Sequence, residues 1–290
     1  MTSTAGSTTP SARPPQAITK AAVVTHGKAA QIGPALARLN SVAREAGVEL
    51  LFPAEESEKH GLVPANGDER DADIAVVLGG DGTMLRALAR FLGTGVPVVG
   101  VNFGRVGFLS SIPRTELETG LARVFSGDYE VVELATLEVE AADQRWVAVN
   151  DAVVTGAVLG RMIELEWAVG GEPLGRQPCD GLICSTPSGS TAYNLSNGGP
   201  VLMWGIDAMA ITFVAPHSLH ARPLVVPRGR DAIVWNRTPD VDAAVLVDGH
   251  RVADAGPGAR VVMRLGPDRS LLATLPEATF VQRYRQSFAS

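Results

Sequence analysis

The ten residues Ile74-Ala-Val-Val-Leu-Gly79-Gly80-Asp81-Gly82-Thr83 restrict the fold more than any other part of this chain. An uninterrupted apolar, β-branched run suits a strand buried on both faces, the habit of parallel sheets. Glycines end the run and let the backbone come close to a ligand. From Met84 to Leu92 apolar residues recur at helical spacing. Strand, glycine turn and helix N-terminus together form a place for phosphate, because free backbone N–H groups and the helix dipole both favour an anion. Asp81 is the odd member. Phosphate repels a carboxylate, so its position points to chemistry or to a metal.

Glycine-rich strand-to-helix turns often serve only to reverse the chain, so the motif needs corroboration. Two familiar nucleotide motifs are absent: the third glycine of a dinucleotide fingerprint would fall at Leu85, and no Gly-x4-Gly-Lys-Ser/Thr occurs. A length of 290 residues suggests roughly two domains, and 46% hydrophobic residues are ample for a core in each. The net charge of −6 and the scattered basic residues argue against a nucleic-acid partner. The two cysteines, Cys179 and Cys184, read as small core residues. No apolar stretch approaches the roughly 20 residues of a membrane span. Residues 1–20 are polar without an apolar signal core, which predicts a disordered tail and a cytoplasmic protein without a membrane partner.

Residues 21–127 alternate strand and helix. Strands are predicted at Ala21–Thr25, Val48–Phe52, Ile74–Leu78 and Val96–Val101. Between the first two, Ile32, Leu36, Leu39, Val42 and Ala43 mark one helix face. Thr115-Glu-Leu-Glu118 reads as a capping box opening a helix to Phe125. This half is an α/β domain with a parallel sheet, Rossmann-like without the dinucleotide fingerprint, and its ligands belong at the carboxyl ends of the strands. Residues 128–275 change to period two, with strands predicted at Trp146–Val154, Leu182–Ser185, Ile211–Val214, Ala232–Trp235, Ala244–Val247 and Arg260–Met263 and a hairpin turn at Asp248-Gly249. That pattern implies a β-rich, largely antiparallel second domain. Residues 276–290 contain a helical segment, Phe280–Phe288, expected to return to the first domain.

The second informative segment is Asp180-Gly-Leu-Ile-Cys-Ser185-Thr186-Pro187-Ser188-Gly189-Ser190-Thr191-Ala192-Tyr193. A short strand runs into a turn holding five hydroxyl residues, and a helix starts near Thr191. Single hydroxyls often serve only as caps, but a cluster of short donors and acceptors suits a polyhydroxyl or phosphate ligand. Tyr193 offers a ring for stacking and a hydroxyl for bonding.

Together the two segments resemble the NAD kinase family. Gly104-Arg-Val-Gly107-Phe-Leu, Asn150-Asp151, Gly198-Gly199-Pro200 and Arg222-Pro223-Leu224 fall in the family's order, so the likeness spans about residues 74 to 225. The first motif alone is shared with diacylglycerol-type lipid kinases and phosphofructokinases, whereas the tyrosine-ending motif is specific. The resemblance implies phosphorylation of the adenosine ribose 2′-hydroxyl of NAD, with ATP or polyphosphate as donor and Mg²⁺ or another divalent cation held mainly by the donor's phosphates. It implies Asp81 as the base that takes the hydroxyl proton. Gly80, Gly82, Thr83 and Arg86 would lie against phosphate or ribose, and Phe103 near the adenine. Asn150 and Asp151 would hold the nicotinamide-side ribose, and Thr191, Ala192, Tyr193 and Ser196 would face the dinucleotide. Asp180 matches a carboxylate that relatives use, sometimes across a subunit interface, in a homodimer or homotetramer. Lys28 and Arg105 are candidates to meet donor phosphates. His250 reads as an exposed turn histidine. Asp151 stands where the family commonly has Glu, Ser188 where it has Thr, and Asn197 where it has Ala. Two other readings keep parts of the pattern: a lipid kinase of the diacylglycerol type, and a non-catalytic dinucleotide sensor.

Overall fold

The structure is a computed structural model that describes residues 18–27, 29–61, 68–104, 107–158 and 160–288. Most of the expected N-terminal tail lies outside the described residues, as do Lys28 and Arg105. Residues 18–20, placed in that tail by the sequence reading, are packed: Ile18 is buried, and the Thr19 and Lys20 amides donate to Asp73 Oδ2 at 2.7 and 2.9 Å.

The first half runs β1 (Lys20–Thr25), α1 (Ala29–Ala46), β2 (Glu49–Leu51), α2 (Ala54–His60), β3 (Ile74–Gly79), α3 (Asp81–Arg90), β4 (Val98–Asn102), a short β5 (Ile112–Pro113) and α4 (Leu117–Phe125). Strands β2, β1, β3 and β4 lie side by side in that order, all parallel. The apolar run of β3 is explained by its two covers. Ile74, Val76 and Leu78 pack with α1 and α4, while Ala75 and Val77 pack with Met84 and Leu88 of α3. With both faces dry, no position in the strand tolerates a polar side chain.

The second half runs β6 (Glu130–Ala141), β7 (Gln144–Ala148), β8 (Asp151–Gly156), β9 (Ile163–Val169), β10 (Glu172–Cys179), β11 (Gly181–Ser185), α5 (Tyr193–Ser196), β12 (Ala208–Val214), β13 (Leu224–Pro227), β14 (Ala232–Asn236), β15 (Ala243–Val247), β16 (His250–Ala255), β17 (Arg260–Thr274) and α6 (Phe280–Phe288). One antiparallel sheet has the order β13-β12-β11-β8-β15-β16. The other strands extend the parallel sheet: β17 joins β4 at Leu272↔Val98 and carries β6 and β14, and β14 leads on to β9 and β10. A large apolar core fills the space between the two sheets and includes the fully buried Cys179 and Cys184. The expected fold class, parallel α/β followed by antiparallel β, is what the structure shows, and one continuous sheet of 11 strands among the described residues ties the halves together.

Several local expectations are corrected. Trp146–Val154 is two strands in different sheets, because the amides of Val149 and Asn150 leave the ladder to bond Asp248 at 2.9 and 2.8 Å. The capping box does not form. Thr115 lies in a 3-10 turn, α4 starts at Leu117, and the Glu118 carboxylate forks onto Arg38 of α1 instead. A bidentate charged pair between helices outweighs a neutral local cap. Strand β4 starts at Val98, after Pro97, which has no N–H for the ladder. Strands β10, β13 and β16 escaped the period-two reading because each is an edge strand with much of its surface exposed. His250 is exposed, but it opens β16 opposite Val247.

Candidate active site

Strand β3 delivers the glycine turn to the carboxyl end of the parallel sheet. Gly80 caps α3, and the Thr83 and Met84 amides bond its carbonyl at 2.9 and 3.0 Å. A Cβ on Gly79 would lie 2.5 Å from Thr83 Oγ1, so this glycine lets the buried Thr83 tuck under the turn. A Cβ on Gly80 or Gly82 would meet nothing within 4 Å. Those two glycines therefore leave an open side for a ligand, and that side is the wall of a cavity of about 910 Å³. Arg86, Phe103 and Arg114 complete it, with the Arg114 guanidinium 5.3 Å from the Phe103 ring centroid.

Asp81 opens α3, and its carboxylate reaches sideways to a loop. Oδ2 accepts the Phe108 amide at 2.7 Å, Oδ1 accepts the Leu109 amide at 3.3 Å, and Ser110 Oγ lies 3.2 Å from Oδ1. Gly107 is required for this. A Cβ there would fall 2.2 Å from Asp81 Oδ2. A carboxylate has about four lone-pair sites, so these three donors leave room for one more.

A second cavity of about 530 Å³ lies against Asp81, bounded also by Gly107, Asn150, Ser188, Thr191, Ala192 and Phe288. A third, of about 380 Å³, continues past Asn150, Asp151, Ala192, Tyr193 and Asp248. Gly82 borders the first and second, and Asn150 and Ala192 border the second and third. Through these shared residues the three form one trough, and Asp81 lines its middle cavity.

The hydroxyl loop divides its labour. Ser185 and Ser190 donate to the carbonyls of Thr186 and Pro187, and Thr186 donates to Val149 O at 2.7 Å. These hydroxyls shape the loop, while Ser188 and Thr191 line the trough, Thr191 Oγ1 also donating to Ser188 O at 3.2 Å. Ser188 Oγ lies 3.2 Å from Asn150 Oδ1. Gly189 presses on the Asn150 backbone so closely that a Cβ would lie 2.1 Å from its carbonyl oxygen. Tyr193 is 46% exposed at the trough's far end.

Asp248, in the hairpin turn of β15 and β16, has positive φ (48°), and its carboxylate accepts the amides of Val149, Asn150 and Asp151. It is one of the site residues that the sequence reading missed. The Asp-Gly dipeptide announced the turn, but nothing local announced what its carboxylate would hold. Burial pushes the Asp151 carboxyl up to about 7, and the neighbouring Asp248 charge adds to this. Burial also raises Asp248, against the pull of its three amides. The folded chain thus keeps a proton on Asp151 that the unfolded chain releases near pH 4. Stability from this proton is complete below about pH 4 and is lost as pH rises toward 7. The gain in Tm of Asp151→Asn over wild type is therefore expected to grow between pH 4 and pH 8. A constant or shrinking difference in thermal melts would contradict it.

Of the residues singled out from the sequence, Gly80, Gly82, Thr83, Arg86 and Phe103 line the first cavity, and Asp81, Asn150, Asp151, Thr191, Ala192 and Tyr193 line the others. Asp180 and Ser196 are exposed and border none of the three. His26 enters the first cavity from the loop after β1, and Arg114 from the 3-10 turn before α4. Among the described residues, no group of three or more His, Cys, Asp or Glu converges as a metal cage.

A family model described as the ATP-NAD kinase N-terminal domain matches residues 53–129, and one described as the ATP-NAD kinase C-terminal domain matches residues 149–275. An NAD kinase of Ralstonia nicotianae is 36% identical over 274 residues, 91% of this chain and 88% of that protein. An NAD kinase of Heliobacterium modesticaldum is 40% identical over 222 residues, 75% of this chain and 78% of its own length. In fold, the chain is similar to yeast NADH kinase complexed with NADH, with a TM-score of 0.80 at 21% identity, covering 94% of this chain and 88% of the yeast one.

Proposed function

Since the chain belongs to the ATP-NAD kinase family and so phosphorylates NAD, we propose that ATP lies in the first cavity, NAD in the other two, and that Asp81 joins them as general base. The observation that carries this reading is the place of Asp81, which lines the cavity bounded by Asn150, Ser188 and Thr191 while its chain neighbours Gly80 and Gly82 wall the first cavity. The donor's phosphates would rest on the Gly80 and Gly82 backbone at the α3 N-terminus, with Arg86 and Arg114 countering their charge. Asn150 and Asp151 hold a ribose of the dinucleotide, and Tyr193 stacks at the far end.

In the step itself, Asp81 takes the proton of the adenosine 2′-hydroxyl as that oxygen bonds the γ-phosphorus. The bond from γ-phosphorus to the bridging oxygen breaks in line, and ADP leaves with the electron pair. Positioning and charge neutralisation do most of the work. A divalent cation would be held mainly by the donor's phosphates and water and would neutralise phosphate charge, leaving the remaining place on the Asp81 carboxylate to the hydroxyl. Asp180 and Ser196, outside the trough of one copy, reach the dinucleotide from a second copy in a homodimer or homotetramer.

The family match decides against the lipid-kinase reading. Purified protein assayed with ATP or polyphosphate against NAD or NADH, with Mg²⁺, is expected to make NADP fastest from ATP and NAD. Failure of all four combinations to give product, despite NAD binding, would overturn the reading in favour of a dinucleotide sensor.

A further inference from the structure

We propose that Arg283 is a positioning residue for Asp81, so that the C-terminal helix α6 belongs to the catalytic apparatus. The inference rests on Asp81 being the base. Arg283 is only 3% exposed. One of its terminal nitrogens, Nη1, donates to the carbonyls of Phe108 at 2.8 Å and Ser110 at 2.7 Å. These residues belong to the loop that holds Asp81. The Phe108 carbonyl and the Leu109 amide form one rigid peptide plane. Arg283 binds the oxygen of that plane, and Asp81 accepts its N–H at 3.3 Å. Ser110 repeats the pattern, its carbonyl on Arg283 and its hydroxyl on Asp81. The guanidinium and the carboxylate thus grip one loop from opposite sides.

Other contacts make the grip firm. Nε donates to Ala278 O at 3.0 Å, Nη2 donates to Thr274 Oγ1 at 2.7 Å, and the guanidinium lies 5.3 Å from the Trp204 ring centroid. The Phe108 ring sits against Phe280 and Phe288 of α6, each with centroids 5.6 Å apart. Burying a guanidinium is costly unless its donors are used. A helix needed only for packing could seat an aliphatic side chain here. This one instead fixes two carbonyls whose partner groups orient the Asp81 carboxylate.

Steady-state kinetics on the full chain test the assignment. Arg283→Gln is expected to lower kcat about tenfold to a hundredfold, as a misplaced catalytic group does, while the KM for NAD stays within about threefold. Arg283→Lys, whose single ammonium can serve the two carbonyls but loses the anchoring bonds to Ala278 and Thr274, should fall between. Guanidinium chloride at low millimolar concentration should restore part of the kcat of Arg283→Ala, since a cavity of about 380 Å³ borders the vacated place. Methylammonium should not. Adding Asp81→Asn to Arg283→Gln should cost no more than Asp81→Asn alone, because both act through one carboxylate. Folded Arg283 variants with normal kcat would overturn the inference while leaving the base assignment intact. An active Asp81→Asn would remove the base assignment itself. Should neither the Gln nor the Lys variant fold, Arg283 is structural and the inference also fails.

Discussion

Asp81→Asn is expected to lower kcat for NADP formation by about 10² to 10⁴-fold, the usual contribution of a general base. The substitution keeps the volume of the side chain and removes its capacity to take a proton. One oxygen becomes an NH₂ group facing a loop whose Phe108 and Leu109 amides can only donate, while the Ser110 hydroxyl can turn to accept. Turning the amide satisfies one side and leaves a donor against a donor on the other, which costs about 1–3 kcal/mol. A modest drop in Tm should therefore accompany the loss of turnover. The KM for NAD should change little, because Asn150, Thr191 and Tyr193 are untouched. An Asp81→Asn enzyme within tenfold of wild-type kcat would take the base role from this residue.

Gly107→Ala is the second large effect. Its new Cβ would lie 2.2 Å from Asp81 Oδ2 and 2.3 Å from Cγ, far inside contact distance. The carboxylate is short and bonded on both oxygens, so it cannot swing aside at no cost. Either Asp81 leaves its donors or the loop moves away with Phe108. We expect kcat to fall about a hundredfold with a loss of about 1–3 kcal/mol in stability from overpacking. Gly82→Ala makes the useful contrast. Its Cβ would point into open space beside the first cavity, so, with ATP bound there as proposed, it should raise the KM for ATP more than it lowers kcat. A Gly107→Ala enzyme with near-normal kcat would show that the loop does not set the carboxylate's position.

The sequence carried the chemistry more clearly than it carried the architecture. Ile74–Thr83 and Ser185–Tyr193 were legible because each packs strong local signals into one stretch: an apolar run, glycines at a turn, hydroxyls before a helix. The trough was not legible as such, since it is made where β3, β8 and the loops after β4 and β11 converge. Asp248 illustrates the limit. Its dipeptide marks a hairpin, yet its role is to hold amides about a hundred residues earlier in the chain. Arg283 is similar: a basic residue in an amphipathic helix reads as solvent-facing, and only the tertiary structure shows it buried against Phe108 and Ser110. The hydroxyl loop was over-read in one respect. Ser185, Thr186 and Ser190 bond backbone carbonyls, so the cluster is mostly scaffold. Edge strands β10, β13 and β16 were missed because half-solvated edges do not need alternation.

The most direct test of the central claim, that the trough brings the 2′-hydroxyl of NAD to Asp81 for phosphorylation, is turnover of two acceptor analogues. With ATP and Mg²⁺, NAD lacking the adenosine 3′-hydroxyl should be phosphorylated at a rate close to that of NAD, and NAD lacking the adenosine 2′-hydroxyl should give no phosphorylated product while still binding. Phosphorylation of the 2′-deoxy analogue would contradict the account.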